Sequence, residues 1–166
     1  MLPILYACPH ACSLVSHIAL EMTGEKFIYA HVDLFSNAHR APEYLALNPR
    51  GRVPLLATED MLLAETPAIL SWLAHRHPHA GILSKCLARN ERGIIADLSW
   101  FSSGMGLDAY LFWMWARAGE GPIDLRPYSN WARHTLRMLE TPDVQRAISR
   151  EREINPCFEN IHQSAT

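Results

Sequence analysis

The stretch CPHACSLVSH, residues 8 to 17, gathers two cysteines, a serine and a histidine where an apolar run gives way to a helical pattern. Thiol chemistry is what such a cluster offers first. A cysteine at the start of a helix meets backbone amides and the positive end of the helix dipole, which favour a thiolate or a bound sulfur anion. Cys12 and Ser13 hold that place, and Ser13 adds a hydroxyl donor. His17 follows one turn after Ser13, placed either to support the site or to pack, as a lone helix-face histidine usually does. A redox pair, a metal clamp, activators of another nucleophile and ordinary buried residues are the four readings. The metal reading lacks a second ligand pair at metal spacing.

Two further stretches carry chemistry. In RVPLL, residues 52 to 56, Pro54 sits between apolar residues. It is either a cis proline holding an unusual backbone path or an ordinary trans proline on an edge strand. In ETPAI, residues 65 to 69, Thr66 can cap a helix whose first position suits Pro67, and the amides of such a start suit a carboxylate. The plain alternative is that Thr66 only caps and Glu65 only favours the dipole. His75, His77 and His79 look metal-like, but they straddle a helix end and a proline; a solvated linker is the better reading.

The elements that position these residues follow from the pattern. PILYA (3 to 7) is a buried first strand. Apolar residues at 14, 15, 18, 19 and 22 mark one helix face, ended by Gly24. KFIYAHVDL (26 to 34) is a second strand, parallel to the first across a right-handed crossover. APEYLALNP holds a short helix stopped at Asn48-Pro49, residues 51 to 65 a hairpin, and ETPAILSWLAHRHP a helix that stops before Pro78. After a linker at 79–88 the chain is helical: residues 89–105, 107–119 and 128–151, with a polar tail from 155. The expected architecture is therefore an α/β domain over 1–78 and an all-α domain over 89–154.

Composition narrows the setting. Of 166 residues, 49% are hydrophobic, which supports a sizeable core and excludes a disordered chain. A net charge of -2 gives no general pull toward nucleic acid or an anionic membrane surface. Four scattered cysteines (Cys8, Cys12, Cys86, Cys157) do not make a disulfide framework. The N-terminus does not read as a signal peptide and no window reaches membrane-spanning length. A soluble, reduced, cytoplasmic protein is the expectation.

In order, ACSLVSHIAL, NPRGRVPLL, LAETPAILSWLAHRHP, LDAYLFWMWA and TPDVQRAI resemble the glutathione S-transferase family, specifically its bacterial beta type, over residues 3 to about 150. The pairing of NPRGRVP with ETPAI is the most specific part. The resemblance implies a thioredoxin-like N-terminal domain plus an all-α C-terminal domain. It implies glutathione as co-substrate, no metal, a small electrophile, and a homodimer anchored by Trp72 and Trp100. Pro54 would be cis, so that Val53 offers its amide and carbonyl to an extended peptide. Glu65 would take the γ-glutamyl amino group and Thr66 its carboxylate, with Tyr6 and Arg52 completing the binding set. Cys12 would meet the glutathione sulfur, with a lowered pKa, beside Ser13 and His17 as catalytic residues. CPHAC has one residue too many for the CPxC loop of thioredoxin-like oxidoreductases, which makes a Cys8–Cys12 disulfide hard to close.

The sequence also departs from the family. Gly106 and Leu107 replace a His-Lys pair that reaches toward the glutathione site. After SSGM the chain passes almost directly to LDAYLF, so the helical domain is shortened. Asp108 remains without the capping hydroxyl three residues earlier. Exposure of Phe112, Trp113 and Trp115 is expected, covered by rearrangement or by a partner subunit. Three functions follow in order: conjugation of glutathione to small electrophiles, glutathione binding without useful turnover, and Cys12-based deglutathionylation.

Overall fold

A computed structural model describes residues 1–82, 105–120 and 124–155. The expected linker at 83–88, the helix at 89–104 with Trp100, Cys86, Cys157 and the tail from 156 lie outside the described residues. The first domain runs β1 (Ile4–Ala7), α1 (Ser13–Thr23), β2 (Ile28–His31), α2 (Pro42–Leu47), β3 (Leu55–Ala57), β4 (Leu62–Ala64) and α3 (Thr66–Arg76). Its four strands are ordered β2-β1-β3-β4, with β1 and β2 parallel and the other pairs antiparallel. This is the expected β-α-β-α-β-β-α order. Strand β2 is shorter than the run at 26–34: only four residues pair with β1, each from Ile4 to Ala7 finding one partner.

Helix α1 explains the architecture. Every residue from Ser13 to Glu21 is buried, so the helix is a central element and not a surface helix with one apolar stripe. Leu14, Val15, Ile18 and Ala19 share one core with Leu5 and Leu56 of the sheet and with Ile69, Leu70 and Leu73 of α3. Gly24 ends it in the left-handed region at φ 71°, its amide donating to Glu21 O at 3.2 Å. The histidines at 75 to 79 are only partly the solvated linker expected. His77 is buried, with Nε2 3.5 Å from Glu25, while a 3-10 turn at Pro78–Ala80 follows. Among the described residues no group of three or more histidines, cysteines or carboxylates converges as a metal site would.

The helical part contributes α4 (Met105–Gly119), α5 (Ser129–Leu139) and α6 (Pro142–Ile154). The helical stretch at 128–151 breaks at Thr141, extended ahead of Pro142, which opens α6. Here the expectation of exposed aromatic surface is corrected. Phe112 and Trp115 are 0% and 1% exposed, and Trp113 is partly buried. Their cover comes from within the chain. Trp131 of α5 meets Trp115 edge-on at 5.2 Å and donates Nε1–H to Leu111 O at 2.9 Å, while Val144, Ala147 and Ile148 of α6 join the core. Asp108, left without a capping hydroxyl, instead bonds His134 Nε2 of α5 at 2.8 Å. Of the described helices none is long and apolar enough to cross a membrane.

Candidate functional site

Between β1 and α1 the chain turns through Cys8 to Cys12, held by Ala11 N–H to Cys8 O and Val15 N–H to Cys12 O, both at 3.1 Å. His10 takes the left-handed region at φ 67° within this turn. Cys12 is half-buried at the helix head, and its Sγ lies 3.9 Å from the Val53 carbonyl oxygen. The structure thus brings together two residues 41 positions apart that the sequence singled out independently. Its electrostatics differ from the expectation of a lowered pKa. Burial pushes the Cys12 thiol up and outweighs the backbone amide that favours the thiolate, with Glu65 adding to the rise. Cys8 is buried, and burial pushes its thiol up as well.

The opposing wall is built from α2 and the loop after it. Arg52 O accepts from Tyr44 Oη and from Asn48 Nδ2, each at 2.7 Å, so α2 fixes the backbone that leads into the cis Val53–Pro54 bond. Gly51, at φ 56°, has no room for a side chain: a Cβ there would lie 2.8 Å from His39 O. Val53 precedes β3 and stands outside the ladder. Tyr6 and Val53 both pack against a small second core of Val32, Tyr44 and Leu55, and Tyr6 meets Tyr44 edge-on at 5.9 Å. The Arg52 side chain is exposed.

The floor is the head of α3. Glu65, not Thr66, is the capping position, and it holds φ 74° and ψ 127°, a strained conformation for a residue with a side chain. Its carboxylate is exposed and bonded to Arg50 Nη1 at 3.0 Å. Thr66 is the first helical residue and is buried. Burial pushes the Tyr110 phenol of α4 up, with Thr66 opposing the rise and Cys12 and Glu65 adding to it. Three residues along the same helix, Trp113 donates Nε1–H to His10 O at 3.1 Å. The aromatic run LDAYLFWMWA was read for its buried face, and this contact was missed. The signal was an aromatic residue with a polar tip within that run.

Ser13 and His17, expected beside Cys12 as catalytic residues, belong elsewhere. Ser13 is fully buried; its Oγ donates to Cys8 O at 3.0 Å and accepts from Cys8 N–H at 3.1 Å. It closes the loop and offers no donor to a ligand sulfur. His17 is also fully buried, 3.0 Å through Nδ1 from Glu151 Oε1 of α6 and ringed by Phe27 and Tyr29. Burial raises the Glu151 carboxyl and the contact with His17 opposes the rise. Glu21 stands 3.6 Å from His17 Nε2; burial works to raise its carboxyl, but the bonds from His17 and Arg146 and the nearby Arg150 win, and it lies below the ordinary value. The physical reason is helix geometry: successive residues turn by about 100°, so Ser13 and His17 share a face that Cys12 does not.

What remains is a half-buried thiol, a carbonyl beside a cis proline, and a helix head. A model of the glutathione S-transferase N-terminal domain family matches residues 3–75. The chain is 40% identical over 82 residues to glutathione S-transferase GstA of Escherichia coli O157:H7, covering 48% of this chain and 41% of that protein. It is 44% identical over 66 residues to a maleylacetoacetate isomerase of Rhizobium meliloti, covering 40% of this chain and 31% of that protein. Aligned this way, the chain spans less than half the length of either curated relative. Among solved structures, the bacterial beta class glutathione S-transferase of Sphingomonas chungbukensis superposes with a TM-score of 0.72 at 26% identity, over 89% of this chain and 98% of that one.

Proposed function

We propose that this chain, whose residues 3–75 belong to the glutathione S-transferase N-terminal domain family, binds glutathione at this site and adds its sulfur to small electrophiles. The observation that carries the reading is the convergence of Cys12 on Val53 next to a cis proline, with the Glu65–Thr66 helix head beside them. An extended tripeptide lies along Val53 as an added strand, pairing with its amide and carbonyl. Its γ-glutamyl carboxylate meets Thr66 at the positive end of α3, and its amino group meets Glu65. Tyr6 and Arg52 line the same wall.

The chemistry needs the glutathione thiol deprotonated. Cys12 keeps its own proton, because burial holds its pKa up, so its S–H serves as a donor to the ligand thiolate while the α1 amides stabilise the same charge. The thiolate attacks the electrophilic carbon; the S–C bond forms and the leaving group departs with its electron pair. A protonated Cys12 also favours conjugation over the thiol–disulfide reading, which needs a cysteine thiolate. Binding without turnover is the second reading. It is favoured by Trp113, which ties α4 to the 8–12 turn through the His10 carbonyl. A homodimer, a cytoplasmic setting and a detoxifying role accompany the main reading.

Calorimetry with glutathione, beside a conjugation assay with a chromogenic aryl halide, tests it. Wild type should bind, and Thr66→Ala should weaken binding by about 1–2 kcal/mol. Binding without conjugation would leave the second reading; no binding would overturn both.

A further inference from the structure

His10 lies in the turn that leads to Cys12, and two side chains at α4 hold it by different atoms. The residue takes φ 67°, in the left-handed region that a residue with a side chain enters at a cost unless its surroundings fix it there. Its carbonyl accepts Trp113 Nε1–H at 3.1 Å. Its ring Nδ1 lies 2.6 Å from Oε1 of Glu120, the residue after the last turn of α4, and the residue is buried. Burial pushes the imidazole below its ordinary value, so at neutral pH an uncharged ring gives Nδ1–H to that carboxylate. Glu120 is itself steadied by Arg117 Nη1 at 2.6 Å. Two residues after His10, Cys12 begins α1 with its Sγ 3.9 Å from Val53 O.

We propose that His10 is a positioning residue for Cys12: Trp113 on its carbonyl and Glu120 on its imidazole keep it left-handed, and that conformation holds the thiol against the Val53 carbonyl. The task of Cys12 toward a ligand sulfur rests on the glutathione-binding reading above; its placement by α4 does not. Release of either tie lets His10 relax toward negative φ, and the turn then carries Cys12 away from Val53 into greater exposure. Burial is what raises the Cys12 thiol, so exposure lowers its pKa and makes it a faster nucleophile. A glycine at position 10 would keep the left-handed conformation with neither tie, because it has no Cβ to oppose it. The helical part thereby sets the reactivity of a thiol that belongs to the first domain.

Alkylation of the full chain by iodoacetamide, with the labelled residue identified by mass spectrometry, tests the proposal without any ligand. Trp113→Phe keeps an aromatic ring and loses the N–H. It should speed labelling of Cys12 at neutral pH about three- to tenfold, the worth of one hydrogen bond, and lower the pH midpoint of labelling. Glu120→Ala should act in the same direction, and Glu120→Gln, whose amide oxygen still accepts from Nδ1–H, should restore most of the slow labelling. In a His10→Gly background Trp113→Phe should speed labelling less than about twofold. Equal acceleration in both backgrounds would overturn the proposal, because Trp113 would then act on Cys12 by another route. Unchanged labelling in Trp113→Phe would overturn it too, as would labelling of the buried Cys8 to the same extent, which would mean general opening of the domain. If the labelling pattern holds while wild type fails to bind glutathione in calorimetry, only the glutathione-binding reading falls, which separates the two failures.

Discussion

At the head of α1, Cys12 is half-buried and faces the Val53 carbonyl across 3.9 Å; on the flank one turn further, His17 is wholly buried and held by Glu151 at 3.0 Å. Both places are polar, both use sulfur, imidazole or carboxylate, and they lie within six residues of chain. One leaves its thiol partly exposed. The other is closed by Glu21, Glu151, Phe27 and Tyr29. The difference teaches that a cluster of reactive residue types on a helix is two clusters, divided by which way each side chain points. Chemistry belongs to the half that faces solvent, and cohesion to the half that faces the other domain.

Removing Glu151 should separate the two halves most sharply. Glu151→Ala strips a fully buried pair of one member, and the stability loss read by denaturant unfolding should be about 3–5 kcal/mol. His17→Leu combined with Glu151→Leu should recover much of it, since both polar partners then leave together. A loss well under 1 kcal/mol for Glu151→Ala would show that the flank is not a clamp.

Ser13→Ala comes next. It leaves the Cys8 amide without its Ser13 partner and the Cys8 carbonyl with Ala11 N–H alone, at a cost of about 1–3 kcal/mol in stability. Glutathione affinity and conjugation per folded molecule should not change. Unaltered stability with reduced turnover would return Ser13 to the head of the helix as a donor to sulfur.

Cys12 should matter least to stability, because Cys12→Ala removes one long sulfur contact from a half-buried position; a change within about 0.5 kcal/mol is expected. Its reactivity is the sharper measure. Burial raises the thiol, so alkylation of the native protein by iodoacetamide should rise with pH to a midpoint above the usual cysteine value, and mass spectrometry should find the label on Cys12 and not on Cys8. Fast labelling at neutral pH would mean that the helix head wins over burial.

Much of the fold was legible in the sequence because its signals are local. Gly24 marks the end of α1, Pro67 and Pro142 mark the second or first positions of their helices, and the hairpin around Thr58 to Asp60 needs only its turn. Val53, Pro54, Glu65 and Thr66 were singled out because their neighbours carry a recognisable pattern. What stayed hidden depends on contacts across the chain. No local rule says that Ser13 bonds Cys8, that Trp113 bonds the His10 carbonyl, or that Trp115 is covered by Trp131. The direction of the Cys12 pKa was misread for the same reason: the helix head is visible in sequence, but the burial that outweighs it is set by distant residues.

His17 and Glu151 are separated by 134 positions, and this distance has a meaning for synthesis on the ribosome. The chain emerges from its N-terminus, so α1 is made long before α6. Until Glu151 is out, the imidazole that α1 must bury has only Glu21 of its own helix and lacks its 3.0 Å partner, and Val144, Ala147 and Ile148 cannot cover the adjoining apolar surface. The first domain therefore holds its central helix unfinished until α6 has been made. Completion of that helix is tied to residues 134 positions further along the chain.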